Sequence, residues 1–465
     1  MKNKILYIFL IIVFLKGLAW MFSIPIYQSP DEIGHFAYTQ RIAEKGYFDP
    51  RRTNITSKEL NLTAEIFGFN WAKKHPYWNN YQKDWQEKAL NLPYKARNDF
   101  DLQHIRGLAQ RTQKNSPLFY FSGAGFYKAF YGQPFLVRFY AVRFFCLLLS
   151  IITVFFSYKI GRLLFKRKTS ALVLACLVAF QPMFSFISVS INNDNLLILL
   201  ITLFIYFSLN YLKTKNSADL LKAFFVVCLG IAVKPQALIV LPAMLLLGSK
   251  KNYKYLFLLI GLLFFSFFVI NFFSDAIFER LRYVLPIKDY FEFFTFSKSS
   301  FPDIINSSSQ YLAKTKEVYF NELFPWYWGV FGWLEAVMPM WVYKILKIVS
   351  LFSIVGLAFW FFNNKNNKKE KTKYRQVIFI FFTAVLYYLG LFIFDLKVFI
   401  ASGDVFGIQG RYFLPVISAQ MCLLFLGLKT LIPKNKELYL LCFLVLGSVA
   451  LNIIGFWSMY AYFYG

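Results

Sequence analysis

The chain has 465 residues, 58% of them hydrophobic and 21% aromatic, with a mean hydropathy of +0.47 and a net charge of +27. Soluble globular domains are about 45–50% apolar, so this composition excludes that class and describes an all-α polytopic membrane protein, a single integral membrane domain over residues 1–465. The charge excess does not call for a nucleic-acid partner, because the basic residues cluster between the apolar runs, where they meet membrane lipids.

Apolar runs recur at residues 5–24, 136–164, 169–190, 195–212, 255–273, 341–362, 375–396, 412–432 and 439–460. With 219–249 read as two short spans broken at Lys234-Pro235, this gives about eleven transmembrane helices. Lys2 and Lys4, Arg162 to Lys168, Lys213 to Lys222, Lys250 to Lys254, Lys365 to Arg375 and Lys434 to Lys436 fall on one side of these spans. The positive-inside rule makes that side, and the N-terminus, cytoplasmic. Residues 25–117, 274–340 and 397–411 then lie outside, the first two as large loops bearing amphipathic helices at the headgroup level. The first run has two preceding lysines but no small-residue cleavage site, so it is read as a retained anchor. All five cysteines fall in apolar spans, which implies neither a disulfide framework nor a metal-binding thiol pair.

Directly after the first run stands Ser29-Pro30-Asp31-Glu32-Ile33-Gly34-His35-Phe36. Ser29 and Glu32 have capping-box spacing, Pro30 suits the first helical position and Gly46 the stop, which predicts a helix over 30–45. Asp31, Glu32 and His35 then share a face. Glu32 is equally well read as a cap; Asp31 is not required for the cap and stands as a candidate base.

The rest of the first loop interleaves Trp71, Trp78, Trp85, Tyr77, Tyr81 and Tyr94 with charges. Its histidines, His35, His75 and His104, lack tight metal-ligand spacing. Ser116 to about residue 133 predicts an interfacial or re-entrant helix. Arg138 and Arg143 enter the next span near its outer end, where an arginine either snorkels to headgroups or binds a lipid phosphate. Asp194, in the Asn192-Asn193-Asp194 turn, caps a helix or serves a site. Lys234, between Gly230 and Pro235 in apolar surroundings, needs an anion or water, and Lys16 within the first span poses the same question.

Residues 324–335 place Trp326, Trp328, Phe331 and Trp333 around two glycines, either as an interfacial belt or as a sugar-stacking wall. Near the end, Gly407-Ile408-Gln409-Gly410-Arg411-Tyr412 brings close-approach glycines next to a guanidinium suited to phosphate. No dinucleotide or Walker fingerprint occurs, which argues against nucleotide-driven chemistry.

Taken together, PDE-x-x-HF at 30–36, SPLFY at 116–120, INND at 191–194, WG-x-FGWL at 328–334 and G-x-QGRYFLP at 407–415 resemble a bacterial family of multispanning membrane proteins. That family is known as a domain of unknown function and grouped with GT-C type glycosyltransferases. The acidic pair with His35-Phe36 is also similar to the first-loop motif of protein O-mannosyltransferases. The resemblance implies a GT-C-like fold in the cytoplasmic membrane and transfer of a sugar from a polyprenyl-phosphate donor to a glycan, lipid or protein acceptor on the outer face. Asp31 matches the residue acting on the acceptor hydroxyl, with Glu32 beside it.

Such a reaction needs a base, cations for the departing phosphate and a wall for the sugar, and inverts the anomeric carbon when the base lies opposite the leaving group. His35, Arg138, Asp194, Lys234, Trp328, Trp333, Gln409, Arg411 and Tyr412 are the substrate-binding candidates. No cofactor is required; a divalent cation held by Asp31, Glu32 and Asp194 is the open alternative. The rival functions are a lipid-linked glycan transporter or flippase, which would be expected to show paired internal repeats, and an oligosaccharide polymerase.

Overall fold

The structure, a computed structural model, describes residues 4–46, 56–69, 83–92, 94–97, 100–101, 115–248, 261, 301–367, 370–405 and 407–465. The expected span at 255–273, the loop residues Trp71, Tyr77, Trp78, Tyr81, His75 and His104, and the first part of the 274–340 loop lie outside these residues.

Seven helices among the described residues are long and apolar enough to cross a membrane: Lys4–Ser23, Phe135–Leu164, Asp194–Thr214, Met340–Asn364, Lys371–Ser402, Gly410–Leu431 and Lys434–Tyr464. Two shorter apolar helices, Lys168–Ala179 and the 3-10 run Pro235–Leu247, complete the apolar set. Each long helix carries an apolar stretch long enough to cross a membrane, which suits backbone groups satisfied within the segment and side chains facing lipid or neighbours. Helices 340–364 and 417–431 cross closely because both carry glycine at the contact: a Cβ on Gly356 would lie 2.0 Å from the Gly427 carbonyl oxygen.

The expected span over 169–190 is broken. It forms Lys168–Ala179 and Pro182–Ile187, because Pro182 has no N–H to continue the first helix and instead opens the second. The carbonyls freed at the break find donors inside the protein. Lys16 Nζ donates to Ala179 O at 2.7 Å and to Ser185 Oγ at 2.8 Å, and Asn452 Nδ2 donates to Phe180 O at 3.1 Å. Trp20 Nε1 in turn fixes Asn452 Oδ1 at 3.1 Å. Lys16 is therefore neither free in the apolar span nor paired with an anion; it closes a helix end. The break expected at Lys234 is present, between Ser217–Val233 and Pro235–Leu247.

Outside the long helices, Glu32–Lys45 lies against Leu118–Ala129, whose 12 residues are too few to span. The strand pair 56–57 with 100–101 and the helix Lys58–Ile66 pack beside them. Gln40 Nε2 donates to Glu59 Oε2 at 2.6 Å and Ser57 Oγ donates to Gln40 Oε1 at 2.7 Å, tying this layer together. The basic clusters gather at the opposite helix ends, where Arg167 and Lys429 meet Glu437, and Lys166 meets Glu370.

Candidate active site

The helix 32–45 starts differently from the capping box that its sequence suggests. Asp31 is the N-cap, with φ 64° and no side-chain cap bond, and Gly46 closes the other end at φ 67° as expected. Ser29 does not cap; its Oγ accepts from Ser190 Oγ at 2.6 Å. Positive φ is tolerated by Asp better than by most residues, but it still costs on the order of 1–3 kcal/mol, and such strain is common at functional sites.

From this strained position Asp31 Oδ2 accepts from Arg411 Nη2 at 2.6 Å, while Arg411 Nη1 donates to Pro30 O at 3.1 Å. The Arg411 side chain is 5% exposed and that of Asp31 34%. A second pair stands beside the first, Lys234 Nζ on Asp194 Oδ1. The two pairs share one electrostatic neighbourhood, since Lys234 acts on Asp31, and Asp194 acts on Arg411 and Tyr412. Burial works to raise the Asp31 carboxyl, but Arg411, aided by Lys234, outweighs it and holds the group below the ordinary carboxylate range. His35 belongs to the same cluster: its Nδ1 lies 2.8 Å from Tyr120 Oη, and burial drives its pKa down to about 3 against the pull of Asp31, leaving the ring neutral. Arg411 Nη2 also reaches Tyr412 Oη at 3.4 Å, and the guanidinium lies 5.1 Å from the Tyr412 ring centroid. Residues up to 380 apart in sequence thus form one site of two carboxylates, two cations and a neutral imidazole.

Glu32 occupies a different environment from the one expected of it. Its carboxylate is fully buried and accepts from Arg143 Nε at 2.8 Å and Nη2 at 2.7 Å, from Tyr27 N at 3.2 Å and from Ile191 N at 3.1 Å. With four donors in place it has no lone pair to offer a substrate proton, so its work is to lock the helix start to the 135–164 helix. Arg143 is neither snorkelling nor available to a phosphate, since it also donates to Met21 O, Ile24 O and Pro25 O.

Arg138 is likewise withdrawn from the site. It pairs in a fork with Glu59, contacts Tyr127 Oη and donates through Nε to Gln133 O at 2.9 Å. The proposed cation triad of Asp31, Glu32 and Asp194 does not form, because each carboxylate is held by a different basic side chain. Among the described residues no group of three His, Cys, Asp or Glu converges as metal ligands would.

The aromatic stretch is not one wall. Leu323–Gly329 is a short helix and 330–331 pairs with 336–337 in a hairpin turned through Gly332 and Leu334, both at positive φ. Trp328 is buried beside Phe324 and Tyr327, whereas Trp333 Nε1 donates to Tyr27 O at 3.4 Å beneath the first loop. The short helix still shapes the site, since Gly410 sits so close that a Cβ there would lie 2.1 Å from Tyr327 N. Any side chain at 410 would push Arg411 out of register with Asp31. Gln409 is half-buried, and among the described residues its Oε1 has no partner.

Sequence reading missed Asp395, which is fully buried in the 371–402 helix. It accepts from Tyr311 Oη at 2.8 Å, from Tyr319 Oη, and from Gly407 N at 3.1 Å. It thereby anchors the loop that leads to Gln409 and Arg411. An acid amid a long apolar run was the available signal.

The fold and the site describe a multispanning helical membrane protein that keeps an ion-paired cluster at the ends of its spans. The chain belongs to the family of predicted membrane proteins DUF2142, which matches residues 14–419. No curated protein matches it. Among solved structures it is similar to the crystal structure of ArnT from Cupriavidus metallidurans bound to undecaprenyl phosphate, at 10% identity and a TM-score of 0.42, over 100% of this chain and 76% of that one.

Proposed function

We propose that the protein is a GT-C-like glycosyltransferase that moves a sugar from a polyprenyl-phosphate donor to a hydroxyl of a cell-envelope glycan, lipid or protein. The observation that carries this reading is the Asp31–Arg411 pair, one third open on its carboxylate side and flanked by Lys234 with Asp194. Phosphate binding and proton removal need these two kinds of group side by side. The acceptor oxygen attacks the anomeric carbon, the bond to the phosphate oxygen breaks with its electron pair, and the hydroxyl proton passes to Asp31. Arg411 and Lys234 offset the charge that develops on the departing lipid phosphate. Attack opposite the leaving group inverts the anomeric carbon.

Asp31 and Arg411 cannot serve these roles while bound to each other. A donor phosphate that takes over Arg411 frees the carboxylate and removes the main charge holding its proton affinity down, so Asp31 becomes a stronger base once the donor is seated. Phe413, two residues beyond Arg411, lines a largely apolar cavity of about 600 Å³ with Tyr388 and Leu424, which suits part of a prenyl chain. The cytoplasmic membrane is the proposed location. The basic clusters at the far helix ends support a cytoplasmic N-terminus and an extracytoplasmic site. The chemistry needs no cofactor.

The test is transfer from defined polyprenyl-phosphate sugars to extracted envelope acceptors by purified protein in detergent. Product is expected with wild type and not with Asp31→Asn. Equal rates from a folded Asp31→Asn variant would overturn the assignment of the base, and capture of lipid-linked sugar across vesicles without transfer would favour a flippase.

A further inference from the structure

Next in sequence to the two ion pairs stand buried polar atoms that have no partner among the described residues. Asp194 uses Oδ1 for Lys234, and its N–H donates to Asn192 Oδ1 at 2.9 Å, but its Oδ2 has no donor. Asn193, fully buried, has a partner on neither Oδ1 nor Nδ2. Gln236 Oε1, Gln409 Oε1 and Arg411 Nε are unpartnered as well. These atoms come from three segments packed together. The helix that Asp194 opens rests against both the 235–247 helix, which begins at Lys234, and the 410–416 turn that carries Arg411.

One unsatisfied buried polar atom is a local accident, whereas several at the rim of an ion-paired cluster leave a set of hydrogen bonds for something else to complete. Their chemistry narrows the occupant. Acceptors prevail: Asp194 Oδ2, Asn193 Oδ1, Gln236 Oε1 and Gln409 Oε1 face two donors, Asn193 Nδ2 and Arg411 Nε. Asp194, being a carboxylate, repels a second anion and accepts from hydroxyls. A neutral group rich in hydroxyl donors, joined to an anion that Arg411 takes, satisfies both halves.

We infer that Asn193, Asp194 and Gln236, with Gln409 at the rim, form a hydroxyl-binding subsite for the sugar ring of a phosphate-linked donor. This rests on the reading of Arg411 as the phosphate cation. Asn193 lies in the INND motif beside Asp194 and Gln236 two residues after Lys234, and they add sugar recognition to a site otherwise read for charge. In this arrangement the sugar is held on the Asp194 side of Arg411, so the ring and the phosphate are recognised by separate groups.

That separation is the test. Binding of a short-chain polyprenyl phosphate, bare or bearing each of a panel of hexoses and pentoses, would be measured by titration calorimetry in detergent on wild type, Gln236→Leu, Asn193→Leu and Arg411→Ala. Wild type should prefer at least one sugar-bearing lipid to the bare one. Gln236→Leu and Asn193→Leu should each weaken that lipid roughly three- to tenfold and leave the bare phosphate unchanged, as expected for losing one or two hydrogen bonds. Arg411→Ala should weaken both. Gln236 is half-buried, so its variant stands in if Asn193→Leu fails to fold. Equal losses for bare and sugar-bearing lipid, or none, would overturn the subsite and leave the phosphate reading standing. Wild type that binds neither lipid would overturn the phosphate reading itself.

Discussion

Asp31 and Glu32 are neighbours in the chain and each meets an arginine, yet the two pairs are opposites. Glu32 and Arg143 are both 0% exposed, and the Glu32 carboxylate takes four hydrogen bonds. Asp31 takes one arginine bond, is 34% exposed and sits on strained backbone, while its partner Arg411 keeps an Nε that has no partner among the described residues. Saturation separates them. A buried pair whose every polar atom is spent can only hold structure, whereas a pair with atoms to spare can exchange partners with a ligand. The closed pair also makes the open one possible: Arg143 fixes residues 21–32, and only on that fixed support can Asp31 be held at positive φ against Arg411.

The largest test of this contrast is Arg143→Met. It leaves Glu32 buried without its counter-charge, an expected loss of about 3–5 kcal/mol, visible as a collapse of folded yield and of thermal midpoint in detergent. Pairing it with Glu32→Met should recover most of that stability, because an apolar replacement of both partners removes the stranded charge. If Arg143→Met folded normally, the closed pair would not be the support described.

Asp31→Asn should do the reverse, keeping yield and midpoint while lowering transfer about 10²–10⁴-fold. It should also bind the lipid phosphate more tightly than wild type, since the amide competes less strongly for Arg411. Weaker phosphate binding in this variant would mean that the pair is not exchanged for donor. Arg411→Ala should lower donor affinity and turnover together, the latter about 10²-fold, and Arg411→Lys should restore part of both because lysine keeps the charge without the fork.

Much of this architecture could be read from residue order, and the rest could not for a definite reason. Span positions, the stop at Gly46 and the break at Lys234 follow from hydrophobic runs and from what glycine and proline do locally. Asp31, Asp194, Lys234 and Arg411 stand out because charge in or beside apolar sequence needs a partner, His35 by its helical spacing to Asp31 and Tyr412 by its place in the motif of Arg411, and the structure brings them together. Which partner each takes was not legible. Nothing local distinguishes Arg138, spent on Glu59, from Arg143, spent on Glu32, and Ser29 to Glu32 has the spacing of a capping box while both side chains bond elsewhere. The broken helix at Pro182 was hidden for the same cause, because its freed carbonyls are satisfied by Lys16 and Asn452 from distant segments. Long-range pairing decides these positions, and composition and periodicity do not encode it.

The smallest expected effect concerns the neutral member of the open site. His35 is stacked on Tyr120, with ring planes 13° apart, and is bonded to its hydroxyl through Nδ1. Burial keeps its pKa at about 3 in the folded protein, against an ordinary 6.5. Between those values the unfolded chain binds a proton that the folded one does not, so stability falls as pH drops through 6.5 toward 3. Asp31 is shifted in its own region: its lowered pKa contributes stability that is fully present above 3.8 and lost only below that, so it does not titrate between pH 7 and 5. In that window the His35 contribution amounts to about 2 kcal/mol. The thermal midpoint of wild type in detergent should therefore drop more from pH 7 to pH 5 than that of His35→Gln, which keeps a polar side chain for Tyr120 but has nothing to protonate. The other two histidines of the first loop, His75 and His104, remain in both proteins, and comparing the two slopes cancels them. Equal slopes would mean that His35 is not held neutral, and that the open site carries one more positive charge in mild acid than its geometry implies.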